Sequence, residues 1–339
     1  MPSPFLIYGA NGFTGRLVAR QTKSLGLAPI LAGRTGPEVG ALGQELGLPT
    51  RCFGLDAIPQ LETPLVLNCA GPFSRTAPLL MEACLAQGIH YLDITGELAV
   101  FETAHGKGDR ARERGLVLMP GVGFDVVPTD CLALSLKERM PDATHLELAF
   151  FAKSPPSVGT VKTMLENIPK GGCERVNGRL VPVPMFHKVK RVKFRTRELD
   201  CAAIPWGDLA TAFYSTGIPN IVVYSVHPPG FVALSKLVNP VKGLMGLAPV
   251  QRLLKAGVQR LIRGPSPEQQ ANSTIEIWGR VSGPTGELED RIEVCEGYRF
   301  TAEVALECVK RVLAMELKGY FTPAQAFGSG LLRETGHLL

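Results

Sequence analysis

Gly9, Gly12 and Gly15 stand between a short apolar run, Phe5-Leu6-Ile7-Tyr8, and a stretch from Arg16 to Ser24 with helical apolar spacing. Glycines so placed can hold a dinucleotide. The first permits a tight turn, the second lets the backbone approach a pyrophosphate, and the third allows the helix to pack closely on the strand. The helix start then offers unpaired N–H groups and a positive dipole end to the phosphates. The spacing is G-x-x-G-x-x-G rather than G-x-G-x-x-G, so the strand before and the helix after carry the reading; an ordinary glycine-rich turn is the alternative. The residues read as phosphate-loop contacts are Gly9, Asn11, Gly12, Phe13, Thr14 and Gly15.

A second position decides which dinucleotide. An NAD site places Asp or Glu at the end of the second strand to accept from the ribose 2′-OH. This chain has Gly33-Arg34-Thr35 there, and its next acid is Glu38. Arg34 can fork onto a 2′-phosphate and Thr35 can add a hydroxyl, so NADP is expected over NAD, with a solvated loop cation as the alternative for Arg34.

Hydride transfer also needs a proton donor near the acceptor atom. Asp93, Glu97 and Asp125 lie in the loops at the strand ends where open parallel sheets bind ligands, and are read with Tyr214 as candidate catalytic groups. Carboxylates at strand ends also cap helices and tie turns, which is the structural alternative for each. Tyr91 and His90 sit within an apolar run and are expected to be core and a satisfied or exposed histidine, respectively. Cys69 has no basic partner nearby in sequence and is read as a small residue beside the cofactor, in the loop Cys69-Ala70-Gly71-Pro72-Phe73. No P-loop, H-E-x-x-H, G-x-S-x-G or C-x-x-C motif occurs.

The elements that must position these residues are legible as a period. Apolar strands alternate with helical stretches every 20–30 residues as far as Met119, which implies a doubly wound parallel sheet. From Thr144 the strands become longer and alternating, and helical spacing returns at Thr301. The expected fold is therefore α/β: a Rossmann-type domain over 1–130 and 301–339, and an α+β substrate and dimerisation domain over 131–300 with a mixed or antiparallel sheet. The 339 residues, 45% hydrophobic and 20% charged, exclude general disorder. The longest stretch without Asp, Glu, Lys or Arg, Leu209 to Ser235, is broken by Gly217-Ile218-Pro219 and Pro228-Pro229, which argues against a spanning helix. A net charge of +5 is too mild to indicate nucleic acid. Eight scattered cysteines and an N-terminus lacking a basic n-region fit a cytoplasmic protein.

Several segments together resemble the saccharopine dehydrogenase-like oxidoreductases, and within them the trans-acting enoyl reductases. They are Gly9–Gly15, Asn68–Phe73, Gly88–Glu97, Gly121–Asp130, Ile204–Asp208 and Ser215–Asn220. The resemblance implies an NADP-binding Rossmann domain split in sequence, and places Ala70-Gly71-Pro72 beside the nicotinamide ribose. It leaves the substrate open among amino-acid adducts, polyamine precursors and lipid chains. One departure is Thr76-Ala77, where many relatives carry Tyr-Gly. The leading expectation is an NADP-dependent reductase of an apolar enoyl substrate, small-molecule or lipid-like. The alternatives are an amino-acid-type dehydrogenase acting on a C–N bond, with Arg75 as a carboxylate clamp, and a nucleotide-bound scaffold without turnover.

Two basic segments suggest partners. Phe186–Arg197 carries six cations and no acid, and either docks an acidic carrier protein or is a solvated sheet edge. Phe231–Arg263 carries Lys236, Lys242, Arg252, Lys255, Arg260 and Arg263 beside apolar residues at helical spacing. It is read as a lid, a peripheral contact with the inner face of a membrane, or a core helix. A homodimer is expected.

Overall fold

Short, fully apolar strands can only be buried on both faces, and the N-terminal half of the chain follows that rule. In the computed structural model, which describes residues 5–153, 169, 171–227, 230, 232, 247–261 and 273–339, the elements come in this order. The first series is β1 (Leu6–Tyr8), α1 (Phe13–Ser24), β2 (Ile30–Gly33), α2 (Gly36–Leu46), β3 (Thr50–Cys52), β4 (Leu65–Asn68), α3 (Phe73–Gln87), β5 (His90–Asp93), α4 (Leu98–His105), α5 (Gly108–Glu113), β6 (Val117–Met119) and α6 (Val127–Arg139). The second is β7 (His145–Ala152), β8 (Gly172–Val176), β9 (Arg179–Val183), β10 (Val189–Lys193), β11 (Glu198–Ala203), α7 (Asp208–Thr216), β12 (Asn220–Val226), α8 (Ala248–Leu261), β13 (Thr274–Gly283) and β14 (Gly286–Cys295). The chain ends with α9 (Gly297–Ala314), β15 (Gly319–Tyr320), α10 (Pro323–Phe327) and α11 (Leu331–Glu334).

It divides into two compact units, one made of Met1–Leu134 with Gly297–His337, the other of Ser135–Glu296 with Leu338–Leu339. In the first, seven strands form one sheet in the order β15-β6-β5-β4-β1-β2-β3. Every pairing in it is parallel. Chain order reverses between β1 and β4, so the switch point lies where the loops after those two strands diverge. The second unit holds a mixed sheet, β10-β11-β12-β7-β13-β14, with β8 and β9 attached at β12. There β7 and β12 pair in parallel while β13 pairs antiparallel with both β7 and β14. Both sheets are of the expected types.

Four of the six cations on β10 and its flanks pair with acids of their own unit. Lys188 pairs with Glu174, Lys190 with Glu147, Arg191 with Glu198, and Arg195 with Glu293. Of the Phe231–Arg263 segment, the described part shows Arg252 exposed and Leu253 75% exposed on α8. Residues 231, 233–246, 262 and 263 lie outside the described residues. No helix among the described residues is long and apolar enough to cross a membrane.

Close packing explains two of the loop glycines. A Cβ on Gly15 would stand 2.2 Å from the Gly9 carbonyl oxygen, and one on Gly9, whose φ is +81°, would meet the Ala70 backbone at 2.8 Å. Gly40, within α2, has nothing within 4 Å of its would-be Cβ. Gly15→Ala should therefore lower stability by about 1–3 kcal/mol through overpacking. Gly40→Ala should raise it by about 0.5–1 kcal/mol through helix propensity. Thermal melts of the two single variants check both signs.

Candidate functional site

Four loops at the carboxyl ends of β1, β4, β5 and β6 are joined into one crest, and each joint is a specific contact. The turn after β1 is anchored by its amides: Gly9 N and Ala10 N both donate to Ala32 O, at 2.8 and 3.0 Å. It abuts the loop after β4 at the Gly9–Ala70 approach described above. Helix α1 begins at Gly12 with no side-chain cap and no acid in its first turn. Gly12 and Phe13 are exposed. The helix start thus presents bare N–H donors, as a phosphate would require.

The loop after β4 is set from below by a hydrogen-bonded chain. Asn68, wholly buried, accepts from Ala70 N at 2.9 Å and donates to Thr76 Oγ1 and to Tyr91 OH at 3.2 and 3.1 Å. Thr76 Oγ1 donates to Ala70 O at 2.6 Å. Thr76 thus holds the loop by its hydroxyl. Tyr91 OH donates in turn to Asp93 Oδ2 at 2.8 Å. Asp93 Oδ1 accepts from Thr95 N and Gly121 N, each at 3.0 Å, so one carboxylate ties β5's own loop to β6's. Burial raises its pKa to about 6, aided by the charge of Glu97 and opposed by the Thr95, Tyr91 and Gly121 hydrogen bonds.

Glu97 belongs to the loop after β5 yet caps α3: its two oxygens accept from Phe73 N at 2.7 Å and Ser74 N at 3.0 Å. Asp125 lies half-buried against Gly96, whose would-be Cβ stands 2.7 Å from Asp125 Oδ2. Burial lifts its carboxyl to about 6 as well. Phe124 N, beside it, donates to Thr301 Oγ1 at 3.0 Å.

The candidate proton donors therefore differ in situation. Asp93 has no exposed surface and Glu97 is engaged at a helix start, so the structural alternative describes both. Asp125 keeps part of its surface open. Tyr214 lies on α7 of the second unit, its ring 5.6 Å from that of Phe213. Cys69 is buried and its thiol is pushed up to about 12 by desolvation, so it stays protonated. His90 Nδ1 accepts from Val117 N at 3.0 Å and its pKa is lowered by burial, a satisfied histidine.

The proposed cofactor residues fit a dinucleotide. Gly71 and Pro72 are exposed, Phe73 is half-buried, and a Cβ on Gly71 would meet only Phe73 Cε2, at 3.9 Å. No part of the described protein requires glycine there, so its open side is available to a ligand. At the end of β2, Arg34 is exposed and Thr35 begins α2 without a side-chain cap bond. Glu38, the first acid beyond β2, accepts from Asn11 Nδ2 at 2.7 Å. That bond ties α2 to the phosphate loop and engages the nearest carboxylate that an NAD reading would need at the ribose 2′-OH. Thr301 carries no local signal in the sequence, because the amide it accepts from lies 177 residues away.

Comparisons with known proteins agree with this architecture. No protein-family model matches the chain. A rat protein named saccharopine dehydrogenase-like oxidoreductase is 29% identical over 244 residues, covering 60% of this chain and 56% of its own length. The trans-acting enoyl reductase of Mycobacterium tuberculosis is 28% identical over 199 residues, covering 53% of this chain and 48% of that protein. The matches thus span about half the length of these curated relatives. Among solved structures, apo saccharopine dehydrogenase (L-Glu forming) from Saccharomyces cerevisiae superimposes with a TM-score of 0.71. That match covers 99% of this chain and 98% of that one at 10% identity, a likeness of fold.

The Asp93 anchor has a pH signature. A carboxyl whose folded pKa lies above the ordinary value of about 4 binds its proton more tightly when folded. Stability should therefore fall as pH rises from about 4 to about 6, then level off. Asp93→Asn should flatten part of that slope, leaving the share of Asp125. Asp93→Ala removes the acceptor from two amides and Tyr91, and should cost about 3 kcal/mol or more at neutral pH. Urea melts of the three proteins across this pH range measure both effects.

Proposed function

We propose that the protein is an NADP-dependent oxidoreductase that reduces an apolar enoyl substrate, lipid- or carrier-linked. The observation that carries the dinucleotide reading is the uncapped start of α1 at the switch point, beside the open face of Gly71. Gly9, Gly12 and Gly15 shape the loop, with Gly12 N donating to Gly9 O at 3.0 Å, the N–H groups of Phe13 and Thr14 face the pyrophosphate, and Arg34 with Thr35 takes the 2′-phosphate. Cys69 to Phe73 borders the nicotinamide ribose. A bound NADPH supplies the hydride.

Asp125 is the proton donor in this reading. Its carboxyl, lifted to about 6, retains a protonated fraction near neutral pH that an ordinary aspartate lacks. Asp93 and Glu97 hold the loops around it. Their charges favour an uncharged substrate end over a carboxylate, which supports the enoyl reading over the amino-acid one. Arg75 is exposed on the first turn of α3, where the amino-acid reading would use it. A relative named trans-acting enoyl reductase points the same way as the carboxylates.

Two measurements test this. NADPH should bind at least about tenfold tighter than NADH, since a phosphate–Arg34 fork is worth about 1.5–3 kcal/mol. Arg34→Ala should remove the preference, and equal affinities for the two cofactors in the unaltered protein would sink the NADP assignment. With a trans-2-enoyl thioester, NADPH consumption should decline as pH rises above about 6–7, as the donor deprotonates. Asp125→Asn should lower turnover by about 10²–10⁴-fold with NADPH affinity preserved. Consumption driven instead by a 2-oxo acid with an amino acid would favour C–N chemistry.

A further inference from the structure

The phosphate loop and the Asp125 loop leave the sheet at different strands, yet one turn of helix touches both. That turn opens α9, where the chain re-enters the first unit at Gly297. On one side the Tyr298 ring meets Phe13 edge-on, with centroids 4.9 Å apart and planes at 78°. Phe13 is 56% exposed for a large aromatic, although its backbone lies in the first turn of α1. On the other side Thr301 Oγ1 donates to Gly297 O at 2.7 Å and accepts from Phe124 N at 3.0 Å. Gly123 packs so closely on Thr301 that a Cβ there would lie 2.9 Å from Thr301 Cγ2. The Phe124 ring stands perpendicular to Phe300, with centroids 6.2 Å apart.

We infer that Tyr298 and Thr301 are positioning residues: the first turn of α9 clasps the phosphate loop through Phe13 and the Asp125 loop through Phe124, so that ordering one by the dinucleotide orders the other. This inference rests on the dinucleotide reading proposed above. Its physical basis is the stiffness of a hydrogen-bonded helical turn. Residues 298 and 301 are fixed relative to each other, so a phosphate that immobilises the backbone at Phe13 removes freedom from Tyr298 and, through the turn, from Phe124 and Asp125. Without the clasp, each loop keeps its own anchors, Ala32 O for the first and Asp93 for the second, and this link between the two is lost.

Hydrogen exchange with and without saturating NADPH, together with NADPH titration by nicotinamide fluorescence, tests it on the full chain. In the unaltered protein NADPH should slow exchange in peptides covering both 9–16 and 121–126. Tyr298→Ala should weaken NADPH about two- to tenfold, the value of an edge-on aromatic pair. At saturation it should keep the slowed exchange at 9–16 and lose it at 121–126. Thr301→Val should lose the effect at 121–126 while changing NADPH affinity less than about twofold. Tyr298→Phe and Thr301→Ser, which keep the ring and the hydroxyl, should behave as the unaltered protein does. Melting curves establish that each variant folds; if Thr301→Val does not, Tyr298→Ala and its phenylalanine counterpart decide. Unchanged affinity in Tyr298→Ala, or NADPH still slowing 121–126 in both the alanine and valine variants, overturns the clasp. Absence of any NADPH binding by the unaltered protein overturns the dinucleotide reading itself, a separate outcome.

Discussion

A carboxylate with no exposed surface holds this crest together. Asp93 accepts from Tyr91 OH, Thr95 N and Gly121 N, and each donor belongs to a different stretch of chain: a strand, the loop that follows it, and the loop of the neighbouring strand. Burying a charge so completely is costly unless donors surround it. Asp93 has three, which oppose the shift that desolvation imposes without abolishing it. The shape of the crest depends on that balance, since Tyr91 also carries Asn68, and Asn68 carries the backbone of Ala70.

The crest is in consequence closed on one side and open on the other. Below it, side-chain hydroxyls, an amide and carboxylates satisfy the loop backbones. Glu97 supplies the acceptor that the start of α3 lacks from its own Pro72. Above it, the start of α1 has bare donors and Gly71 has empty space. The glycines record the same division. Gly9 and Gly15 are required by neighbouring protein atoms, whereas the described surroundings leave Gly71 free to carry a larger residue. A glycine the fold does not need, at a switch point, marks room for a ligand.

The parallel sheet and the glycine turn were legible because their signals are local. Apolar runs of three or four residues, each followed by glycine or a polar cluster, fix strand after strand, and the strand before Gly9 sets the context that the irregular glycine spacing lacks. The division of labour among the carboxylates was not legible. Asp93, Glu97 and Asp125 look alike in sequence, each an acid at or just beyond a strand end. What separates them is distant: Glu97 meets Phe73 at 24 residues' separation, and Phe124 meets Thr301 at 177. Thr76 shows the same limit, since nothing in its sequence context indicates that its hydroxyl holds Ala70 O.

Desolvation raises the carboxyls of both Asp93, wholly buried, and Asp125, half-buried. Asp93 and Asp125 are both lifted to about 6, the first despite three donors and the second by burial. A carboxyl lifted by a neighbouring anion would depend on that anion staying charged; one lifted by burial depends on the loop staying closed over it. The loop at Asp125 is closed by Gly96 against its carboxylate, by Asp93 on Gly121 N, and by Thr301 on Phe124 N. Loosening any of these exposes more of Asp125 to water and lets its pKa fall toward the ordinary aspartate range, where little proton remains at neutral pH. The contacts that shape the crest and those that keep a proton on Asp125 are therefore the same contacts.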